Sequence, residues 1–348
     1  MQKPIIIAEI GVNYHDIAVK NNISPMQAAK LMITEAIDAG VDVVKFQSYK
    51  ANMIAARNSP AYWDTTEETL TNQRELFCKY DSFGEEDYAQ LKVYCQEKGV
   101  EFMSTPFDVQ TAKYVNKLVE RHKIASADIT NTILLREIGS YKKPVILSTG
   151  ASTHGEIEEA VNILMGAGAK QVTLLHCVLE YPTPIQDANL SKIIALKMDF
   201  NNAIIGYSDH TKYNLDMLVT AWMVGANVIE KHFTLDKRIP GNDHYHAADP
   251  TDIKEFLNKV EYLRTIIGCD DDPYSTINEQ SARMYARRGV YLRRNVVFGQ
   301  KMRSDDIIPL RPLGDGITPK ELEQYVSKGA KWKISSSPGE QVFQGDCE

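Results

Sequence analysis

The sequence predicts an α/β protein: a (β/α)8 TIM barrel followed by a small, mostly-β domain. Three observations carry that expectation. Eight short apolar runs recur between residues 4 and 234, continuous rather than alternating, as in parallel strands buried on both faces. The segments between them carry helix start and stop signals. After about residue 268 the pattern breaks into short β-like pieces separated by turns.

The eight runs are PIIIAEIG (4–11), VDVVKFQ (41–47), EFMSTPF (101–107), KIASAD (123–128), PVILSTG (144–150), QVTLLHC (171–177), AIIGYSD (203–209) and VIEKHFT (228–234). Ser24-Pro25 reads as an N-cap followed by proline at the first helical position. Gln27 completes a capping box, and Gly40 ends the segment. Thr153 and Glu156 form a second box, with Ile157, Ala160, Val161 and Leu164 at helical spacing behind it. Gly225 closes a further helix before the eighth run. A doubly wound sheet is the structural alternative. Eight regular units and no GxGxxG after the first strand favour the barrel.

These signals divide the chain into a barrel over 1–268, a linker over 269–284 and a small domain over 285–348. The last contains VYLRR, IIPLRP and KWKI, with turns at PLGDG and SPGE. Residues 50–83 form a long excursion after the second strand. For an excursion of that length in a compact domain, a lid or a substrate wall is the functional reading and a mobile insert the other.

Composition narrows the function classes. The 348 residues carry 39 Lys+Arg against 46 Asp+Glu, a net charge of −7. Such a chain is not built to coat nucleic acid or an anionic membrane, so neither partner is expected. The five cysteines form no C-x-x-C pair, which argues for reduced thiols in a cytoplasm rather than a disulfide framework. No apolar run approaches the length of a membrane span.

A barrel gathers its reactive groups at the C-terminal ends of its strands. Here those ends offer Glu9 and Asn13, Lys45 and Gln47, Thr105, then Lys123, Ser126 and Asp128. They continue with Ser148 and Thr149, His176 and Tyr181, Ser208, Asp209 and His210, and finally Glu230 and His232. Two lysines and several hydroxyls around one mouth suit a small, multiply charged anion. His210 and His232 end neighbouring strands. Two imidazoles with open positions beside them suit a labile divalent ion such as Mn2+, with Mg2+ and Co2+ as alternatives, better than a closed zinc site. A hydrogen-bonded core histidine pair is the other reading. His244 and His246 follow a Pro-Gly turn, and loop scaffolding or substrate contact is their expected role.

The chain resembles the sialic (nonulosonic) acid synthases along essentially its full length. The resemblance runs through AEIGVN, VVKFQ, STPFD, KIAS, LSTGAS, LHC…YPTP, GYSDHT and IEKHFTLD, in order on successive strands. RPLGDGI makes the tail resemble the family's antifreeze-like (SAF) domain. The resemblance implies an enzyme condensing phosphoenolpyruvate with an N-acetylmannosamine-like sugar, with a divalent metal on His210 and His232. It implies that Lys45 and Thr105 hold the carboxylate of phosphoenolpyruvate, and that Lys123, Ser126, Ser148 and Ser208 surround its phosphate. Glu9, Gln47, Tyr181 and Asp243 match sugar-side positions, and Glu9 and Asp128 match carboxylates available for catalysis. Arg311 matches an arginine contributed across a domain-swapped homodimer.

The chain departs from that pattern at three places. Asp128 stands where glutamate is usual, keeping a carboxylate on a shorter arm. The common NHxG becomes Asn13-Tyr14-His15-Asp16, followed by an insertion through Asn22. Leu179 replaces a polar Asn or Ser, which would suit a 6-deoxy sugar as in legionaminic-type acids. Two rivals share the barrel. A synthase acting on a phosphorylated sugar would not carry the SAF-like tail. A metal-dependent hydrolase would typically place H-x-H on the first strand, and AEIGVN has none.

Overall fold

The computed structural model describes residues 2–63, 65, 66, 68–241, 243–268, 274 and 276–348. Most of the first part of the expected linker, including Cys269, lies outside the described residues. The chain forms two compact units, Met1–Gly268 and Cys269–Glu348.

The first unit is the expected barrel. Its strands are β1 (Ile5–Gly11), β2 (Val43–Ser48), β3 (Glu101–Pro106), β4 (His122–Ile124), β5 (Val145–Ser148), β6 (Val172–Cys177), β7 (Ile204–Asp209) and β8 (Val228–His232). They hydrogen-bond in the order β3-β2-β1-β8-β7-β6-β5-β4, all parallel, so β3 and β4 are the two free ends and lie side by side. The fourth run is shorter as a strand than the sequence suggests. β4 stops at Ile124, and Ser126–Asp128 turn into a 3-10 helix.

Both expected capping boxes form. Ser24 and Gln27 cap the helix Pro25–Ala39, which Gly40 ends at φ 96°. Thr153 and Glu156 cap His154–Ala167. A Cβ at Gly40 would also come within 2.8 Å of Leu257, so the site tolerates little besides glycine.

The barrel interior is layered. A floor of Ile7, Val43, Met103, Ile146, Leu175 and Val228 is fully buried. Burying each such side chain is worth about 1.5–3 kcal/mol. Gly206 belongs to this layer because a Cβ there would stand 2.5 Å from both Leu175 and the Val228 carbonyl. Above the floor the inward positions turn polar, and side chains two residues further along each strand line the mouth.

The 50–83 excursion folds as a small aromatic lobe. Trp63, Tyr49, Leu76 and Tyr80 pack with Val12, and Trp63 Nε1 donates to the Leu70 carbonyl at 3.1 Å.

The second unit pairs β9 (Gly289–Leu292) with β10 (Ile307–Leu310), antiparallel, around a core of Val290, Leu292, Val296 and Trp332. It is less β-rich than the sequence suggests. KWKI forms only isolated bridges, and a helix spans Pro319–Ser327. That helix has its own signal, a Thr318–Glu321 capping box with proline at its start.

Candidate active site

The polar mouth of the barrel is a cleft built on two buried lysines and two buried glutamates. β2 carries Lys45 inward, and its Nζ lies 2.6 Å from Glu9 and 3.7 Å from Glu230. β4 carries Lys123, with Nζ 3.5 Å from Glu230. Each lysine also donates to a hydroxyl: Lys45 to Thr105 at 3.2 Å and Lys123 to Ser148 at 2.8 Å. Ser208 donates to Glu230 at 3.0 Å, and Gln47 to Glu9 at 2.8 Å. Ser126 accepts from the Gly150 amide at 2.9 Å, at the lip of the same cleft.

The two lysines are not equivalent. Burial opposes the charge on both. At Lys45 the pull of Glu230 and Glu9 wins, and its pKa rises above the usual lysine value. At Lys123 burial wins despite Glu230, and the pKa falls. Glu230 is held below the ordinary carboxylate range because Lys123 and Lys45 together outweigh its burial.

Beyond the charge cluster lies a group of imidazoles. Donor atoms of His232, Asp243 and His246 lie within 4.8 Å of one another, a set that can hold a metal ion. His232 Nδ1 is 3.7 Å from Asp243, is buried, and has no hydrogen-bond partner. Burial, reinforced by His246 and His210, pushes His232 well below the usual histidine pKa, so it is neutral and able to bind a metal. Burial and then Glu9 raise the Asp243 carboxyl to about 6.

His210 stands with its ring centroid 5.5 Å from that of His232 but outside the converging donor set. Its Nδ1–H donates to the Val178 carbonyl at 2.7 Å, which fixes the ring and leaves Nε2 as its free nitrogen. Tyr181 packs on His210 at a centroid distance of 4.2 Å. The aromatic lobe closes the other side, with Tyr62 6.5 Å from Tyr181.

The structure thus brings Glu9, Lys45, Gln47, Thr105, Lys123, Ser126, Ser148, Tyr181, Ser208, His210, His232 and Asp243 around one cleft. Asp128 is not among the lining residues. The 3-10 turn after β4 directs its carboxylate to Asn131 Nδ2 at 3.0 Å instead. Arg311 belongs to the second unit and is exposed.

Asp209 and His176, also strand-end residues, face away from the cleft. Asp209 pairs with Lys231 at 2.7 Å, and His176 Nε2 donates to the Ala188 carbonyl at 2.7 Å. Sequence reasoning placed Glu230 at a strand end but gave it no role, although it bridges both lysines. His246 was signalled only by its place in a histidine-rich stretch. His244 is a scaffold, with Nδ1 2.7 Å from Thr234 and Nε2 3.5 Å from Asp16. Asp16 also accepts from Tyr80 at 2.9 Å.

Comparison with known proteins identifies the family. Residues 32–272 match the NeuB family. The chain is 34% identical over 334 residues to the N,N'-diacetyllegionaminic acid synthase of Campylobacter jejuni, covering 94% of this chain and 96% of that protein. It is 35% identical over 340 residues to the N,N'-diacetyllegionaminic acid synthase of Legionella pneumophila, covering 95% and 91%. The crystal structure of the N-acetylneuraminic acid (sialic acid) synthetase of Leptospira borgpetersenii, in complex with citrate, superposes with a TM-score of 0.69 at 34% identity. It covers 80% of this chain and 90% of that one. With a family match over most of the barrel and relatives this similar along nearly its whole length, the chain belongs to the NeuB family, the sialic acid synthases, and is an enzyme of the transferase type.

Proposed function

We propose that this chain condenses phosphoenolpyruvate with a 2,4-diacetamido-6-deoxy relative of N-acetylmannosamine. With water, the products are a nine-carbon 2-keto acid and phosphate. The observation that carries the reading is the buried Lys45–Lys123 pair, each lysine bonded to a hydroxyl, facing a set of imidazole and carboxylate donors.

Lys45 and Thr105 receive the carboxylate of phosphoenolpyruvate. Lys123, Ser126, Ser148 and Ser208 receive its phosphate. C3 of phosphoenolpyruvate forms the new bond to the aldehyde carbon of the open-chain sugar. Water adds at C2, and the C2–O bond to phosphate breaks, so the water oxygen becomes the keto oxygen. One water proton ends on the former aldehyde oxygen and the other on phosphate. Because the donors are fixed and buried, they oppose the moving charge without first reorganising. Glu9, Gln47, Tyr181 and Asp243 face the sugar hydroxyls.

His210 and His232 would hold a divalent ion, which we take to be Mn2+, and that ion would supply Lewis-acid polarisation of the aldehyde. The donor set fits such an ion, since His232 Nδ1 is buried without a partner. Leu179 lines the cleft and offers no polar contact, which favours a 6-deoxy acceptor. The names of the Campylobacter and Legionella relatives support the same acceptor class. Arg311 of a partner subunit completes the sugar side in a domain-swapped homodimer.

The test is phosphate release from phosphoenolpyruvate with Mn2+ and each of three sugars: the 2,4-diacetamido-6-deoxy sugar, N-acetylmannosamine and its 6-phosphate. Release only with the first supports the full reading. Preference for the 6-phosphate would match the N-acetylneuraminate-9-phosphate synthase of Drosophila melanogaster, 32% identical over 258 residues, and would overturn the acceptor assignment. No release with any of them overturns the synthase reading. For the dimer, mixing the impaired Arg311→Ala and Lys123→Met proteins is expected to raise activity above that of either alone, and no recovery counts against the exchange.

A further inference from the structure

We propose that His246 is a metal ligand, completing with His232 and Asp243 a three-point protein site that holds a divalent cation before either substrate arrives. The proposal deepens the synthase reading and rests on it only for what the cation is used for.

Three observations carry it. First, the donor atoms converge: one from each of His232, Asp243 and His246, all within 4.8 Å, with His232 Nδ1 and Asp243 Oδ2 3.7 Å apart. Two ligands about 2.1 Å from a common ion can be at most about 4.2 Å apart, so donors within 4.8 Å stand close to binding distance. Second, the cluster is enclosed. His246 is fully buried and His232 is 7% exposed. The two rings stand 4.9 Å apart, and Tyr181 flanks His246 at 5.7 Å.

Third, the position is fixed by backbone. Just after His246 the loop returns to the end of β8, where the Ala248 amide donates to the His232 carbonyl at 2.7 Å. The Thr234 amide then donates to the Ala248 carbonyl at 3.0 Å. Tyr245, the residue before His246, donates through its hydroxyl to the Tyr181 carbonyl at 3.0 Å. His246 is therefore held against His232 by the same strand end that supplies His232, and is not carried on a free loop.

Two imidazole nitrogens and one carboxylate oxygen favour Mn2+, Co2+, Fe2+ or Zn2+ over Mg2+, whose preference is for oxygen. Three protein points leave coordination positions open to water or a substrate oxygen.

The test reads metal binding without substrates. Free Mn2+ is measured by electron paramagnetic resonance during titration of the metal-stripped full-length protein. His246→Ala is expected to weaken Mn2+ binding by about tenfold or more, the scale that even the outer partners of a metal site reach. His154→Ala, a surface histidine beside Asp199, is expected to bind as wild type. Wild-type affinity in His246→Ala overturns the proposal. Should His246→Ala fail to fold, crystals of the wild-type protein soaked in MnCl2 decide the matter. An anomalous peak bonded to His246 supports the proposal, and a peak on His210 and His232 with His246 apart overturns it. A protein that binds Mn2+ through His246 yet releases no phosphate with any sugar would sink the synthase reading and leave this site standing.

Discussion

Strands β7 and β8 carry two buried charge systems on opposite faces, and the contrast between them separates structure from chemistry. Facing outward, Lys231 and Asp209 are 1% and 0% exposed and pair at 2.7 Å. Asp209 also accepts from Tyr207 at 3.0 Å and from the Thr211 amide at 2.9 Å, while Lys231 donates to the Thr211 carbonyl. Facing inward one residue away, Glu230 is shared between two lysines at 3.7 and 3.5 Å. The outward pair is closed on itself, one cation against one carboxylate, although burial lowers the Lys231 pKa as it does that of Lys123. The inward cluster shares its carboxylates between two lysines and opens into the cleft. The largest expected effect breaks the closed pair. Lys231→Met strands a buried carboxylate and is expected to cost about 3–5 kcal/mol of stability, read as a fall in the denaturant midpoint.

The inward cluster should respond in the opposite currency. Lys123→Met is expected to reduce kcat/KM by about 10²–10³-fold, the scale of removing one preorganised donor. It should destabilise the fold less than Lys231→Met does, because Glu230 keeps Lys45 and Ser208. Equal losses of stability in the two variants would erase the distinction between the faces.

β4 repeats the contrast with His122 outward and Lys123 inward. Burial, and then Lys143, push His122 down to about 4. An unfolded chain takes up a proton near pH 6.5, whereas the folded chain takes it up only near 4. Between those values the unfolded state binds more protons, so stability is full above pH 6.5 and falls as pH drops towards 4. The loss is on the order of 3 kcal/mol. Urea midpoints followed across that window should fall for the wild type and stay flatter for His122→Gln, and parallel curves would rule the histidine out.

The same alternation explains what the sequence could show. The barrel was legible because eight apolar runs and two capping boxes act locally, through propensity and spacing. Most cleft residues were legible because strand C-terminal ends collect them. Asp209 misled because period-two alternation puts it on the opposite face from Ser208 and His210, and a one-residue difference has no compositional signature. Asp128 misled because β4 ends early and a turn redirects its side chain. Glu230 and His246 were underread because their importance lies in long-range geometry: a carboxylate between two lysines from other strands, and an imidazole returned to β8 by a loop. In the second unit, the Pro319–Ser327 helix shows a local signal outvoted by the surrounding β-like pieces.

The smallest expected effect concerns the wall of the inward site rather than its charges. Leu179 stands at the cleft beside Gly150, whose Cβ position lies 3.1 Å from the Leu179 amide. An apolar wall does not bond a sugar hydroxyl, so it penalises a 6-hydroxyl by leaving it without a partner and accepts a 6-methyl. Discrimination of this kind is modest, about 1–3 kcal/mol, because a hydrophobic surface rejects a hydroxyl only weakly. Leu179→Asn is therefore expected to lower the ratio of kcat/KM for the 6-deoxy sugar over N-acetylmannosamine by about tenfold. The charge cluster does not touch this position, so the KM for phosphoenolpyruvate should hold. A change in that KM with the sugar ratio unmoved would place Leu179 in the packing of the charged face instead of the acceptor wall.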